Sequence, residues 1–178
     1  ADQGEPYSIQ PIAESDFLGR SIWILEDTTA NLTVNEAIQN GDFRLSDQPV
    51  PNLGISASAF WVRLVIENST LENHVLLDFD HAEIEKIDLY RVDSGKPILI
   101  AATGQNSPLH SRSVATPDFV FDIPIQAGTR AMVLLRLTSS KQIQVPIRVH
   151  TPASFAQARS HKNLNIGIYI GTMLALAL

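Results

Sequence analysis

Cysteine is absent from the 178 residues of the chain. The sequence therefore has no disulfide framework, no thiolate nucleophile and no zinc site of the cysteine type. Basic residues are few, with 13 Lys and Arg against 19 Asp and Glu and a formal net charge of -6. This balance argues against a nucleic-acid partner, which requires a basic surface. The hydrophobic fraction of 44% argues against disorder and is enough for a core without covalent staples.

The signatures of common enzyme classes are missing as well. The sequence has no GxSxG nucleophile elbow, no phosphate-binding glycine loop, no dinucleotide fingerprint and no HExxH zinc motif. Asp78 and Asp80 resemble in type the carboxylate pair of a glycosidase, but nothing around them indicates a substrate cleft. We therefore predict that this domain is not an enzyme.

Apolar and polar residues mostly alternate through the body of the chain, which is the period-two pattern of half-buried strands. The alternation is clearest over residues 60–67, and turn residues such as Asp93-Ser94-Gly95 separate the segments. Because the gaps are too short for crossover helices, we predict an all-β fold, an antiparallel β-sandwich of the jelly-roll type. The further strand candidates are residues 21–26, 74–80, 86–92, 97–103, 118–124, 130–138 and 143–150.

Two short helices interrupt the strand pattern. Thr33 and Glu36 have the spacing of a capping box, which predicts a short helix over residues 35–39. A second helix is expected to begin near Pro152, because proline is favoured in the first turn of a helix.

The C-terminal residues form an uncharged run from Asn163 to Leu178. A bilayer-spanning helix needs about 20 apolar residues, so this run predicts the first part of a transmembrane helix. Gly167 and Gly171 have a small-xxx-small spacing suited to packing against another helix. The alternative is a buried C-terminal helix, although such a helix normally keeps a polar face. We expect residues 1–155 to form the sandwich and residues 156–178 to form a linker helix and the start of the transmembrane helix.

Several motifs together resemble the type-two extracellular domain of bacterial seven-transmembrane receptors with diverse intracellular signalling modules. The resemblance covers roughly residues 7–155. The motifs that carry it are Trp23-Ile24-Leu25-Glu26-Asp27, Pro51-Asn52-Leu53-Gly54, Ser58-Ala59-Phe60-Trp61, residues 85–90, Val145-Pro146-Ile147 and residues 151–155.

The resemblance implies a periplasmic sandwich akin to carbohydrate-binding modules, attached to the bacterial inner membrane. It also implies a following seven-helix region and a cytoplasmic output, such as a histidine kinase or a diguanylate cyclase. The expected function is therefore ligand sensing, with a glycan or Ca²⁺ as the small periplasmic ligand. The alternative is an interaction module that forms a homodimer or pairs with another sensor's periplasmic domain.

An acidic cluster is the densest set of potential ligand groups. Carboxylate oxygens at short range suit Ca²⁺, so we predict a metal site here, and the alternative is a solvated strand edge paired with Lys86 and Arg91. The resemblance leads us to expect an apolar residue and a proline where the sequence has Asp80-His81-Ala82, which singles out Asp80. The predicted metal ligands are Asp78, Asp80, Glu83 and Glu85.

Aromatic residues suggest a second type of ligand contact, because flat rings stack on sugars. Trp61 is the candidate platform, although aromatic side chains on strands more often fill a core. Arg63 is predicted either to bind a ligand or to pair with a carboxylate such as Asp88. His81 is predicted to join the cation site or to tune it with pH.

Overall fold

The structure, a computed structural model, describes residues 7–9, 16–40, 42–80, 83–105 and 119–159. Two α-helices accompany the strands, α1 (Val34–Gln39) and α2, which covers residues 152–159, together with a short 3-10 helix over Gly19–Ser21. The strands are β1 (Tyr7–Ile9), β2 (Trp23–Asp27), β3 (Arg44–Leu45), β4 (Asn52–Gly54), β5 (Ala59–Asn68), β6 (His74–Phe79), β7 (Lys86–Asp93), β8 (Lys96–Thr103), β9 (Phe119–Pro124), β10 (Arg130–Thr138), β11 (Ile143–Gln144) and β12 (Ile147–His150).

The strands form two main sheets. The larger sheet has the order β3-β2-β5-β10-β7-β8, and β1 adds a short parallel ladder to β5. The smaller sheet has the order β12-β6-β9, and β11 pairs with β4 in a separate two-stranded ladder. Apart from β1, the neighbouring strands within these sheets are antiparallel. The predicted all-β antiparallel class is confirmed, whereas the jelly-roll assignment stays a prediction.

The core lies between the two main sheets, where every second residue of the long strands points inward. Strand β5 contributes its even-numbered apolar residues, and the smaller sheet contributes alternate residues of β6 and β9. The largest of these side chains are less than a tenth exposed: Phe60, Leu64, Ile66, Leu77, Phe79, Phe119, Phe121 and Ile123.

A second apolar layer covers the other face of the larger sheet. Residues 28–40, which we call the strap, include α1 and pack on this face through Leu32, Ala37 and Ile38. The capping box predicted for α1 is present, because Thr33 accepts a hydrogen bond from the backbone of Glu36 and the Glu36 carboxylate accepts one from Thr33 N. This layer explains why β5 is buried on both faces.

The predicted single strand over residues 143–150 is wrong, because two strands form there. Pro146 has no N–H group to donate to a ladder, and the chain changes sheets at this point. Before it, β11 pairs with β4, and after it, β12 pairs with β6.

Helix α2 follows β12 directly. Thr151 Oγ1 accepts a hydrogen bond from Ser154 N at 3.0 Å, and the Phe155 ring lies 5.7 Å from the ring of His150. The helix covers residues on both sides of the boundary that we predicted between residues 155 and 156. The division into two domains stays a prediction. Within the described residues no helix is both long and apolar enough to cross a bilayer. The predicted transmembrane segment, with Gly167 and Gly171, lies outside the described residues.

Candidate functional site

A cleft of about 520 Å³ opens at the end of the sandwich where β6 stops. It is bordered by the chain between β6 and β7, by β11 and by the segment before β2. The lining side chains combine carboxylates, amides and apolar groups: Phe17, Val50, Asp80, Glu83, Ile84, Gln142, Gln144 and Pro146.

Asp80 forms an ion pair beside this cleft with Arg148, a residue of β12. Arg148 Nη1 lies 3.2 Å from Asp80 Oδ2, and the Asp80 side chain is only 17% exposed. The guanidinium also lies over the Phe17 ring, 3.9 Å from its centroid. The positive charge that faces Asp80 is therefore held between a carboxylate and an aromatic ring, in a geometry that favours a cation–π contact.

The two glutamates predicted as metal ligands have their own partners. Glu83 is exposed and lies 3.9 Å from Lys141 Nζ. Glu85 accepts hydrogen bonds from Ser140 Oγ at 2.6 Å and from Ser140 N at 3.0 Å. The Ser140 side chain, followed by its backbone N–H, holds the pKa of Glu85 below its ordinary value. Glu85 therefore fixes the turn between β10 and β11, which positions the amides of the cleft.

Asp78 lies two residues before Asp80 on the outer face of the smaller sheet. Its Oδ2 atom is 3.8 Å from Nε2 of His150, whose side chain is 4% exposed. In the described part of the chain, no group of three or more carboxylates and histidines is placed to hold a metal ion. Of the four predicted ligands, Asp80 and Glu83 line the same cleft, while Asp78 and Glu85 contact other partners, and Ca²⁺ binding here stays a prediction. His81 lies outside the described residues.

Trp61 and Arg63 lie elsewhere, on the face of the larger sheet that the strap covers. Trp61 is 1% exposed and packs 6.3 Å from the Tyr90 ring. Arg63 is buried near two aromatic rings, 4.4 Å from the Phe43 centroid and 5.4 Å from that of Trp23. The strap packs over the Trp61 ring, so this ring fills an apolar layer, which was the alternative given for it above. Ligand contact by Trp61 or Arg63 stays a prediction.

Several residues of the cleft were missed by the sequence analysis. Gln142 and Gln144 alternate with buried Ile143, and Arg148 alternates with Ile147 and Val149. This alternation predicts which side chains point away from the core. It gives no information about the strand beside them, so the pairing of Arg148 with Asp80 could not be predicted.

The cleft presents groups that suit a small polar ligand. Carboxylates accept hydrogen bonds or coordinate a cation, amides both donate and accept, and a guanidinium donates. The nearby Phe17 adds an aromatic surface of the kind that binds apolar faces.

The sequence model of the family described as 7TMR-DISM extracellular 2 matches residues 19–151. A solved structure of the family 32 CBM from C. perfringens NanJ in complex with galactose is similar at 8% identity and a TM-score of 0.33, with 76% of this chain and 98% of that chain covered. No curated protein matches the chain.

Proposed function

Since the chain belongs to the 7TMR-DISM extracellular 2 family, whose sequence model matches residues 19–151, we propose that it is the periplasmic ligand-sensing domain of a bacterial membrane receptor. The receptor is of the histidine kinase or diguanylate cyclase type, so catalysis belongs to another part of the protein. The family supports the position outside the membrane. The uncharged run from Asn163 onward supports attachment to the inner membrane.

The ligand is a small polar signal that binds in the Asp80 cleft. The observation that carries this proposal is the ion pair of Asp80 and Arg148 at the edge of a 520 Å³ cleft lined by two glutamine amides. Paired charges and amides recognise hydroxyl groups through directed hydrogen bonds. A glycan matches this composition, since its hydroxyl groups both donate and accept hydrogen bonds.

Ca²⁺ is the competing ligand, and it makes a different demand on the site. A Ca²⁺ ion takes 6–8 oxygen ligands, so Asp80 and Glu83 would have to be joined by carbonyl or water oxygens. The ion would also have to compete with Arg148 for the Asp80 carboxylate. Ca²⁺ binding therefore makes a demand on the ion pair that a neutral glycan does not.

Calorimetric titration of the chain with CaCl₂, and separately with neutral monosaccharides, tests the proposal. We expect heat of binding with one ligand class and its loss in Asp80→Asn. Asp122→Asn is the matched control, because Asp122 is a carboxylate of the same sheet that pairs with His74 and lines no part of the cleft. Equal binding by wild type and Asp80→Asn would refute a site at Asp80.

Signalling requires that the ligand bind one conformation better than another. Arg148 lies on β12, and α2 begins shortly after that strand, at residue 152. A ligand that changes the Asp80–Arg148 pair therefore acts on the strand that leads into α2. We infer that this strand and α2 transmit binding toward the membrane.

A second candidate function is a protein-interaction module, and an exposed sheet edge favours it. Strand β8 is the last strand of the larger sheet, with Ile98 41% and Leu99 54% exposed. Such an edge can pair with a strand of another chain, although Pro97 removes one donor. Sedimentation over a range of concentrations tests this function, and a monomer that also fails to bind other sensor domains would contradict it.

A further inference from the structure

The strand register gathers three turns at the end of the sandwich that lies away from the cleft. Arg130 is opposite Glu67, and His74 is opposite Pro124. These pairings place the turns over residues 69–73 and 125–129 side by side. The β7–β8 hairpin at residues 94–95 lies at the same end, since β7 is antiparallel to β10. We call this surface the Asn68 end.

Asn68 holds two of these turns together. Its side chain is 0% exposed, and its Nδ2 atom donates to Glu72 O and to Ile125 O, each at 2.7 Å. Its Oδ1 atom accepts hydrogen bonds from the hydroxyl and the backbone N–H of Thr70. The backbone of Asn68 also pairs with Gly128 and Thr129. The turn over residues 69–73 is therefore fixed by a buried amide.

Leu71 projects from this fixed turn into solvent. It is 97% exposed, more than any other large hydrophobic residue of the described chain. A single exposed leucine is common on protein surfaces, but here the hydrogen bonds of Asn68 and Thr70 prevent the turn from folding the side chain inward. The turn thus presents one apolar side chain at the tip of the domain.

Both basic and acidic residues lie around Leu71, so the Asn68 end carries charges of both signs. Arg130 and Lys96 are exposed there, and so are Glu72 and Asp93. Mixed charges of this kind are compatible with lipid headgroups, since the cations meet phosphates and the carboxylates stay hydrated. The surface therefore suits a shallow contact with a bilayer.

The path of the chain points to the same end. Strand β12 runs from Ile147, opposite Phe79, to His150, opposite Leu76, and so away from the cleft and toward the start of β6. Helix α2 follows, and the uncharged sequence from Asn163 to Leu178 comes shortly after it. The chain thus leaves the sandwich in the direction of the Asn68 end.

We propose that the Asn68 end faces the bilayer and that Leu71 enters the lipid headgroup region, with the ligand cleft directed away from the membrane. This inference rests on the membrane attachment in the proposed function. The partner of the Asn68 end is then the lipid bilayer. Insertion of one leucine is a shallow anchor, of the kind that reaches roughly 5–10 Å into the interface.

The absence of cysteine makes a direct test possible. Leu71→Cys carries a single environment-sensitive fluorophore in the full chain, incorporated into vesicles of phosphatidylcholine and phosphatidylglycerol. Ile55→Cys is the matched control, because Ile55 is 76% exposed and lies beside Glu85 and Ser140 at the opposite end. We expect a blue shift at position 71 and stronger quenching by lipid-attached quenchers there than at position 55, since an apolar side chain in the headgroup region lies near the quenchers.

The outcomes distinguish a failure of the membrane attachment from a failure of the proposed orientation of the Asn68 end. Chain that fails to float with the vesicles would overturn the membrane attachment and the inference together. Chain that floats but shows equal quenching at positions 71 and 55 would overturn the inference alone. Both substituted residues are exposed, so both variants should fold, which circular dichroism verifies.

Discussion

Arg148 is the residue that connects the cleft to the rest of the domain. Its guanidinium contacts Asp80 on one side and the Phe17 ring on the other. An arginine in this position already supplies a positive charge to the Asp80 carboxylate beside the cleft. Any external cation that binds Asp80 must compete with it, whereas a glycan can use both groups of the pair.

The first prediction follows from this competition. Arg148→Met keeps most of the side-chain volume and removes the charge. If Ca²⁺ binds at Asp80, its affinity should rise about fivefold, because a partly exposed ion pair contributes roughly 1 kcal/mol. Calorimetric titration measures the change. Lys141, the partner of Glu83, is more exposed than Arg148, so Lys141→Met is the control and should have a smaller effect. A fall in Ca²⁺ affinity in Arg148→Met would show that the arginine supports binding.

The second prediction concerns Asn68. Asn68→Ala removes the donor to Glu72 O and Ile125 O inside the fold. Because buried carbonyl groups then lack a partner, we expect the free energy of unfolding to fall by about 3 kcal/mol. Urea denaturation measures it. Asn73→Ala is the control, since the exposed Asn73 side chain accepts a hydrogen bond from Ala127 N at 3.2 Å and holds no carbonyl of the other turn. A comparable loss there would argue against the special role of Asn68.

At the scale of single residues, the sequence identified which side chains carry useful chemistry, but not which residues they contact in the fold. Asp80 was identified because Asp80-His81-Ala82 departs from the pattern of the family that the sequence resembles, within a cluster of carboxylates. Its partner Arg148 lies 68 residues further along the chain, and nothing local to either residue indicates the pairing. The burial of Trp61 has the same cause, because the strap that covers it comes from a different part of the sequence.

Among the elements, the strap is organised by Asp27, the last residue of β2, which immediately precedes it. Asp27 Oδ1 accepts hydrogen bonds from the hydroxyl and backbone N–H of Thr29, and Oδ2 accepts one from Leu32 N at 2.9 Å. Burial raises the pKa of Asp27, but the hydrogen bonds from Leu32, Thr29 and Asn31 outweigh burial and hold it below its ordinary value of 3.8. Arg136 adds a hydrogen bond to Ala30 O at 2.8 Å.

The third prediction is a pH dependence of this turn. A lowered pKa in the folded state means that the carboxylate stabilises the fold fully above the unfolded pKa and loses that contribution as the pH falls through the folded pKa. Asp27→Asn should therefore lower the free energy of unfolding by about 2 kcal/mol near neutral pH. The difference from wild type should shrink between about pH 5 and pH 2. Urea denaturation at several pH values measures it.

The control for this prediction is Asp42→Asn, at an exposed carboxylate outside the turn. It should change stability by less than about 0.5 kcal/mol at any pH. A difference between Asp27→Asn and wild type that stays constant on acidification would mean that the Asp27 charge contributes nothing to the turn.

The sequence predicted an element well where a signal within a few consecutive residues was enough to define it. The capping box at Thr33 identified α1, and Pro152 identified the start of α2. The split between β11 and β12 was missed although Pro146 was visible, because alternation continues across it. Short strands such as β3 and β4 were missed too, since two or three residues carry no periodicity and their pairing depends on distant partners.

For the whole molecule, the arrangement of cleft, β12 and α2 suggests how a signal travels. The cleft and the Asn68 end lie at opposite ends of the sandwich, and β12 runs from one toward the other. His150 at the end of β12 packs on Phe155 of α2, and Thr151 caps the helix. The connection therefore has no flexible linker between the strand and the helix.

The last prediction tests this rigid connection in the full-length receptor. Insertion of Gly-Ser-Gly-Ser between His150 and Thr151 should leave ligand affinity unchanged within about twofold, since the cleft is untouched and affinity follows local contacts. Output should nevertheless be lost, because a flexible linker transmits neither rotation nor displacement. Calorimetry measures binding, and a transcriptional reporter measures output. The same insertion between Ile55 and Ser56, in the exposed loop after β4 that lies away from the Asn68 end and lines no part of the cleft, is the control and should preserve both. Normal signalling with the insertion after His150 would mean that the ligand acts on the membrane region through another surface of the sandwich.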